Sequence, residues 1–176
     1  MNMDSNYEKR EYCRVDVSIP LEFKVMNAEH KSTLRSRVAG ESFLSEFKAL
    51  PNPDDQLIAQ WLQSINAKLD EIIRMMTREH DGFNCLSITK VNISAGGMSL
   101  NTHRAFSPGE ILEFKVMLGF QKPVALFLYG EIVENDIAHA DYDTSVQFIN
   151  MDDFIRDDII RFVFEAEREI LREKRR

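Results

Sequence analysis

The chain has 176 residues, of which 44% are hydrophobic and 29% are charged, which is the composition of one globular domain and not of a disordered protein. Its formal net charge of −7 argues against DNA or RNA as a partner, although a few local arginines can still hold a small anion. No run of about 18 apolar residues is present, so we expect no membrane insertion.

The N-terminal leader, residues 1–14, is polar and lacks the apolar segment of a secretory signal, so we expect a cytoplasmic protein. The two cysteines of the chain are too few for a disulfide framework and are expected to be reduced thiols. The leader contains Lys9 and an Arg-x-x-x-Arg pair, Arg10 and Arg14. By itself the pair is weak evidence, because the same spacing recurs on predicted helices, where it is typical of a solvated face.

The first predicted strand covers residues 15–25, in which every odd position is apolar and every even position is not. This alternation predicts a half-buried strand. Pro20 falls among the outward positions and cannot donate a hydrogen bond to a neighbouring strand, so we expect an edge or a bend there.

Two helices are predicted after this strand. Residues 32–50 have a helical pattern of apolar positions that Gly40 interrupts, and prolines end it. The second helix runs over residues 54–79, with Asp54 or Asp55 as its N-cap. All its a and d positions are apolar over three heptads: Ile58, Leu62, Ile65, Leu69, Ile72 and Met76.

The apolar stripe of the second helix has two interpretations. It packs on the protein's own strands or on the preceding helix, or it forms a seam with a helix of another chain. A helix over residues 54–79 would be about 39 Å long, at 1.5 Å per residue. That is long for a helix lying across one small domain, so we favour association between chains.

A polar turn containing two glycines, residues 92–97, lies between two further predicted strands. Asn92 and Ser94 can bond nearby backbone groups, while Gly96 and Gly97 allow a positive φ and the close approach of a ligand. Such a turn can present backbone N–H groups to an anion. Taken alone, however, the pattern is more typical of an ordinary hairpin connection.

The remainder of the chain is predicted to form strands followed by a helix. The predicted strands after the insertion are residues 85–91, 98–102, 111–118, 124–134 and 142–149. With the first strand they make six, joined mostly by short turns, which indicates a small antiparallel barrel or sandwich. Residues 151–174 form an amphipathic helix whose basic last turn suits the helix dipole and is expected to be solvated.

The two motifs together resemble the PilZ domain family, whose hallmarks are Arg-x-x-x-Arg and Asp/Asn-x-Ser-x-x-Gly. Here the second motif is Asn92-x-Ser94-x-x-Gly97, and residues 142–150 with the helix after them resemble the last strand and closing helix of the family. One departure from the family pattern is Ser145, which stands where a glycine is common. Because that position is structural in the family, the departure does not concern the expected ligand-binding residues. The resemblance covers about residues 9–27 and 84–174.

The resemblance implies a mainly β fold: a six-stranded antiparallel β-barrel with a helical insertion after the first strand and a C-terminal helix. We therefore expect one domain, residues 1–176, with an insertion at residues 28–82. A known subgroup of the family carries a heptad-bearing helix in this place and forms oligomers. This implies a homo-oligomer, dimer or tetramer, assembled through the helix at residues 54–79.

The resemblance also implies a ligand, cyclic di-GMP, and no other cofactor. The residues expected to bind it are Lys9, Arg10, Arg14, Asn92, Ser94, Gly96 and Gly97. The protein would then be a receptor that changes its conformation or its partner binding, and it would regulate motility, pili, exopolysaccharide or virulence through an unidentified protein. The alternative is an oligomeric interaction scaffold that keeps the fold without binding nucleotide.

We expect no enzymatic activity and no metal site. The four histidines are scattered through predicted loops and helix ends, so Ser94 has no predicted base. The chain also lacks H-E-x-x-H, a P-loop and a paired-carboxylate signature.

Overall fold

The computed structural model of the protein describes residues 12–26, 31, 33–40, 51, 53–120, 123–136 and 142–174. Its strands are β1 (Val15–Met26), β2 (Arg37–Val38), β3 (Ser87–Ser94), β4 (Gly97–Leu100), β5 (Ile111–Leu118), β6 (Val124–Asn135) and β7 (Thr144–Ile149). Its helices are α1 (Gln56–His80), a short 3-10 helix (Phe83–Cys85) and α2 (Asp153–Glu173). No helix within these residues is both long and apolar enough to cross a membrane.

Six of the strands close into an antiparallel barrel. Each strand pairs with the next in the order β6, β5, β1, β3, β4, β7, and β7 pairs with β6 to complete the circle. Closure gives each of these six strands a neighbour on both sides, so none of them is an edge strand along its whole length, which limits edge-to-edge aggregation. The prediction of a six-stranded antiparallel barrel with an inserted helix and a C-terminal helix is confirmed.

The barrel core is built from the alternating positions of the strands and from one face of α2. Phe114, Ile93 and Leu128 are completely or almost completely buried inside the barrel. Helix α2 packs against the same core with five buried residues: Ile155, Ile159, Phe162, Val163 and Ala166. Full burial of one large apolar side chain contributes about 1.5 to 3 kcal/mol, so α2 is an integral part of the barrel.

Strand β1 changes partner within its own length. Residues 15–21 pair with β3, and residues 21–26 pair with β5. Pro20 lies directly before Leu21, the residue at which the second pairing begins. The strand is therefore not an edge strand, and Pro20 occupies a place where only one neighbouring strand is paired.

The first predicted helix of the insertion is wrong where it can be compared with the structure. Residues 33–40 form turns and the short strand β2, which pairs with β6 through Arg37 and Phe127. The guanidinium of Arg37 lies 3.9 Å from the centre of the Phe127 ring. Residues 41–50, the remainder of the predicted helix, lie outside the described residues.

Helix α1 forms as its sequence predicts. The carboxylate of Asp55 caps it by accepting from the N–H groups of Leu57, at 2.8 Å, and Ile58, at 3.3 Å. The C-terminal end is held on the barrel, where Phe83 packs edge-on against Phe127 with 5.2 Å between ring centres. Along the remaining length the six apolar a and d residues are 46% to 66% exposed.

Candidate ligand site on the barrel

The pairing of β1 with β3 brings the two motifs together. Val15 lies opposite Ile93 and Asp16 lies opposite Asn92, so Arg14, the residue before β1, reaches the end of β3 at which the turn begins. Arg14 and Asn92 line one pocket of about 460 Å³. The other lining residues are Asp16, Lys90, Ser99, Glu134, Asp136, Tyr142, Asp143 and Ser145. Lys9 and Arg10 lie outside the described residues.

Asn92 is held from one side by the carboxylate of Asp16. Its Nδ2 donates to Oδ1 of Asp16 at 3.0 Å, and the hydroxyl of Tyr142 donates to the same oxygen at 2.7 Å. The bonds from Tyr142 and Asn92, with the charge of Lys90, hold the pKa of Asp16 below its ordinary value although burial opposes them. Asp16 is therefore an ionised acceptor at neutral pH.

Ser94 organises the turn between β3 and β4. Its hydroxyl donates to the carbonyl of Gly97 at 3.2 Å and accepts from the N–H of Gly96 at 3.4 Å. The residue is buried, with 3% of its surface exposed. In this conformation Ser94 shapes the loop, and its hydroxyl is already used within the protein.

Gly96 and Gly97 are needed for close packing and not for a left-handed backbone, since neither has a positive φ. A Cβ at Gly97 would collide with the carbonyl oxygen of Val146 on β7. A Cβ at Gly96 would lie 3.2 Å from the ring of Tyr12. The two glycines therefore do not use the positive φ that their residue type permits, and the close approach seen at this turn is made by the backbone of β7 and by Tyr12.

The end of the leader is attached to α2. The hydroxyl of Tyr12 accepts from the guanidinium of Arg156 at 3.0 Å. The thiol of Cys13 donates to the carboxylate of Glu167 at 2.7 Å, and this bond raises the pKa of the thiol. Residues 12–13 thus connect the turn, the leader and the C-terminal helix next to Arg14.

The pocket contains charges of both signs. Among the described residues that line it, Arg14 and Lys90 are basic and four residues are acidic: Asp16, Glu134, Asp136 and Asp143. The carboxylate of Asp143 is bonded to the backbone N–H groups of Thr102 and His103, both at 2.8 Å. These bonds and those of nearby hydroxyls lower the pKa of Asp143 despite its burial.

Several pocket residues could not be found from the motifs. Asp16 belongs to the outward positions of β1, but only the register with β3 shows that it meets Asn92. Tyr142 reaches the same carboxylate from a distant part of the chain. Ser145, the departure from the family pattern, lines the pocket and its hydroxyl lies 3.1 Å from that of Ser99. These residues have one feature in common: each is an outward-facing polar residue near the pocket. That feature becomes informative only when the order of the strands is known.

Comparisons with known proteins agree with this architecture. A solved structure of a pathogenic protein from Xanthomonas campestris, described as a tetrameric PilZ domain self-assembled via an unusual helical bundle, has a TM-score of 0.55 at 19% identity. The match covers 92% of this chain and 91% of that one, and at this identity it shows a shared fold. No curated protein matches significantly. The family model for the PilZ domain matches residues 72–165, more than half of the chain, and the protein therefore belongs to the PilZ domain family.

Proposed function

We propose that this protein is a cytoplasmic receptor for cyclic di-GMP. PilZ domains are generally receptors without catalytic activity. The observation that carries the proposal is that Arg14 and Asn92, one from each hallmark motif, line the same pocket although residues 15–91 separate them in sequence.

The side chains of Arg14 and Asn92 suit a ligand with two phosphates and two guanines. The planar guanidinium of Arg14 matches a phosphate, or the O6/N7 edge of guanine, with two parallel hydrogen bonds. Asn92 supplies a directional contact to a base edge. Ser94 and Gly97 serve the ligand indirectly in the described conformation, because they shape the turn and hold it against β7.

The charge balance of the pocket supports a role for the leader in binding the ligand. The described lining residues carry more carboxylates than cations, which disfavours a dianionic ligand. We propose that Lys9 and Arg10 supply the additional positive charge, with Arg10 completing the pair that Arg14 begins. Residues 12–13, which contact α2 and the turn, would transmit the capture of the ligand by the leader to the rest of the protein.

We also propose that the protein forms a homo-oligomer, a dimer or a tetramer, through α1. The supporting observation is the exposed apolar seam of Ile58, Leu62, Ile65, Leu69, Ile72 and Met76. The Xanthomonas protein with the same fold assembles as a tetramer via a helical bundle. Light scattering tests this proposal, and a mass near the 20.4 kDa of one chain would contradict it.

By family resemblance, the receptor would regulate motility, pili, exopolysaccharide or virulence. Capture of the ligand would change the conformation of the protein or its affinity for a downstream protein.

Calorimetric titration with cyclic di-GMP tests the proposed receptor function. We expect saturable binding by the wild type and a loss of affinity of about 10- to 100-fold in Arg14→Ala, since a charge-assisted contact is removed. Arg161→Ala is the matched control, because Arg161 is an exposed arginine on α2 that pairs with Asp158 at 3.2 Å and lies outside the pocket. An unchanged affinity in Arg14→Ala would refute the assignment of Arg14.

A second candidate function is an oligomeric scaffold that binds no nucleotide. The excess of carboxylates in the pocket and the internal use of the Ser94 hydroxyl favour it. The same titration separates the two candidates: absence of binding by the folded, oligomeric wild type would support the scaffold.

A further inference from the structure

We propose that Asp16, which belongs to neither hallmark motif, sets the orientation of the Asn92 side-chain amide and thereby makes the pocket select guanine over adenine. This inference rests on the proposed function, because it concerns how the same pocket distinguishes one cyclic dinucleotide from another. Asp16 is a positioning residue here: it acts on the base through Asn92.

The geometry ties the two side chains together directly. Asp16 and Asn92 are cross-strand partners in the ladder of β1 and β3. Nδ2 of Asn92 lies 3.0 Å from Oδ1 of Asp16. The same oxygen accepts from Tyr142 at 2.7 Å, so the carboxylate is held in place by a third residue.

The amide cannot turn over without losing this bond. An ionised carboxylate has no proton to donate, so only the NH₂ end of the asparagine can face it. Turning the amide would place two acceptor oxygens against each other with no hydrogen between them. The low pKa of Asp16 keeps it ionised at neutral pH and therefore keeps this constraint in force.

The consequence is that Oδ1 of Asn92 points away from Asp16 and is available as an acceptor. No donor from the described residues reaches it. The site then offers a base one acceptor, from Asn92, and several donors, from Arg14. Guanine fits this pattern, because N1–H and N2–H₂ donate on one side and O6 and N7 accept on the other. Adenine places its N6–H₂ donor where guanine has O6, so it would face the donors of Arg14.

The test is the ratio of the dissociation constants for cyclic di-AMP and cyclic di-GMP, measured by calorimetry. In Asp16→Asn the residue at position 16 can donate as well as accept, so the Asn92 amide is free to take either orientation. We expect the ratio to fall about tenfold, because a good pair of base contacts provides about this much discrimination.

Glu134→Gln is the matched control. It also converts a carboxylate in the pocket to an amide, but no hydrogen bond joins Glu134 to Asn92 in the described structure. Removing one negative charge should strengthen the binding of both dinucleotides in both variants. The ratio of the two dissociation constants is therefore the quantity that distinguishes Asp16→Asn from Glu134→Gln. We expect the control to change the ratio by less than about twofold.

The outcomes separate this inference from the proposed function. If the wild type binds neither dinucleotide, the receptor function itself fails. If the wild type binds and Asp16→Asn changes the ratio no more than Glu134→Gln does, the positioning role of Asp16 is overturned. Because Asp16 is exposed on β1, Asp16→Ser provides a second variant for the same comparison if the asparagine variant does not fold.

Discussion

The two long helices of this protein have similar amphipathic patterns and opposite surroundings. Helix α2 has 21 residues and buries five apolar or small residues on the barrel. Helix α1 has 25 residues, and Thr77 is its one buried residue. An apolar stripe is therefore insufficient evidence of where a helix packs, since the barrel offers a complementary surface to one of these stripes and not to the other.

The difference has a physical origin in how each helix is attached. Helix α2 follows β7 after a short connection and lies across the same core as β1 and β3. Helix α1 is about 37 Å long. Among the described residues, its contacts with the rest of the chain lie near its C-terminal end, where Thr77 lies against Gly40 and Lys115 donates to the carbonyl of Asp81 at 2.8 Å. Its residues 56–67 contain no charged side chain, so the exposure of the apolar stripe to water is especially unfavourable in this part of the helix.

The largest expected effect on stability comes from a charge placed on the buried face of α2. Ile159 is completely buried, so Ile159→Asp would put a carboxylate into the barrel core and abolish stable folding, at a cost of more than about 4 kcal/mol. Phe164→Asp on the same helix is the control, because Phe164 is 56% exposed and should tolerate the change. Circular dichroism and thermal unfolding distinguish them, and a native Ile159→Asp would contradict the packing of α2.

The same chemical change on α1 should remove assembly and leave the fold intact. Leu69 lies in the middle of the seam and is 50% exposed in the single chain. Leu69→Asp should therefore reduce the mass found by light scattering to that of one chain, with an unchanged circular dichroism spectrum of the barrel. Gln63→Asp introduces the same charge on an exposed position outside the seam and should retain the oligomer. An oligomer that survives Leu69→Asp would place the interface elsewhere.

Loosening the base of α1 is expected to have an intermediate effect. Phe83 is 2% exposed and packs against Phe127 in a small cluster outside the barrel. Phe83→Ala should lower the free energy of unfolding by about 3 kcal/mol, since it leaves a cavity at this contact. Hydrogen exchange should show the loss of protection concentrated at the C-terminal end of α1. A uniform loss of hydrogen-exchange protection across the barrel would contradict this prediction, because it would show that the cluster and the barrel core unfold as one cooperative unit.

The smallest effect concerns the N-caps of the two helices. Asp55 bonds two backbone N–H groups of α1, whereas Asp152 makes no side-chain cap bond to α2 and pairs instead with Arg35 at 2.7 Å. Asp55→Ala should therefore destabilise α1 by about 1 kcal/mol. Asp152→Ala should lose only an ion pair whose arginine is mostly exposed, worth less than about 0.5 kcal/mol. Helix content at elevated temperature checks the order of the two, and equal effects would contradict the difference in capping.

Sequence patterns predicted the strands, most clearly at residues 15–25, and left a barrel or a sandwich open, whereas the family resemblance implied the barrel. Strand β2 was missed because it has only two residues and exists through its pairing with β6. The motifs singled out Arg14 and Asn92, which line one pocket, but not Asp16 and Tyr142, because the meeting of these two residues depends on strand register and strand order. The function of Gly97 was also hidden, since the approach of the Val146 carbonyl is a tertiary contact.

The ladder between β1 and β3 has a consequence for how this chain can vary in length. The pocket depends on the register of Asp16 with Asn92, while the long connection between β1 and β3 carries β2, which pairs with β6, and α1. Closing a longer loop adds only about 0.6 kcal/mol of entropy for each doubling of its length. Changes in the length of this connection that keep β2 and the contacts at the C-terminal end of α1 therefore have a small entropic cost, and the geometry that joins the two motifs would be preserved.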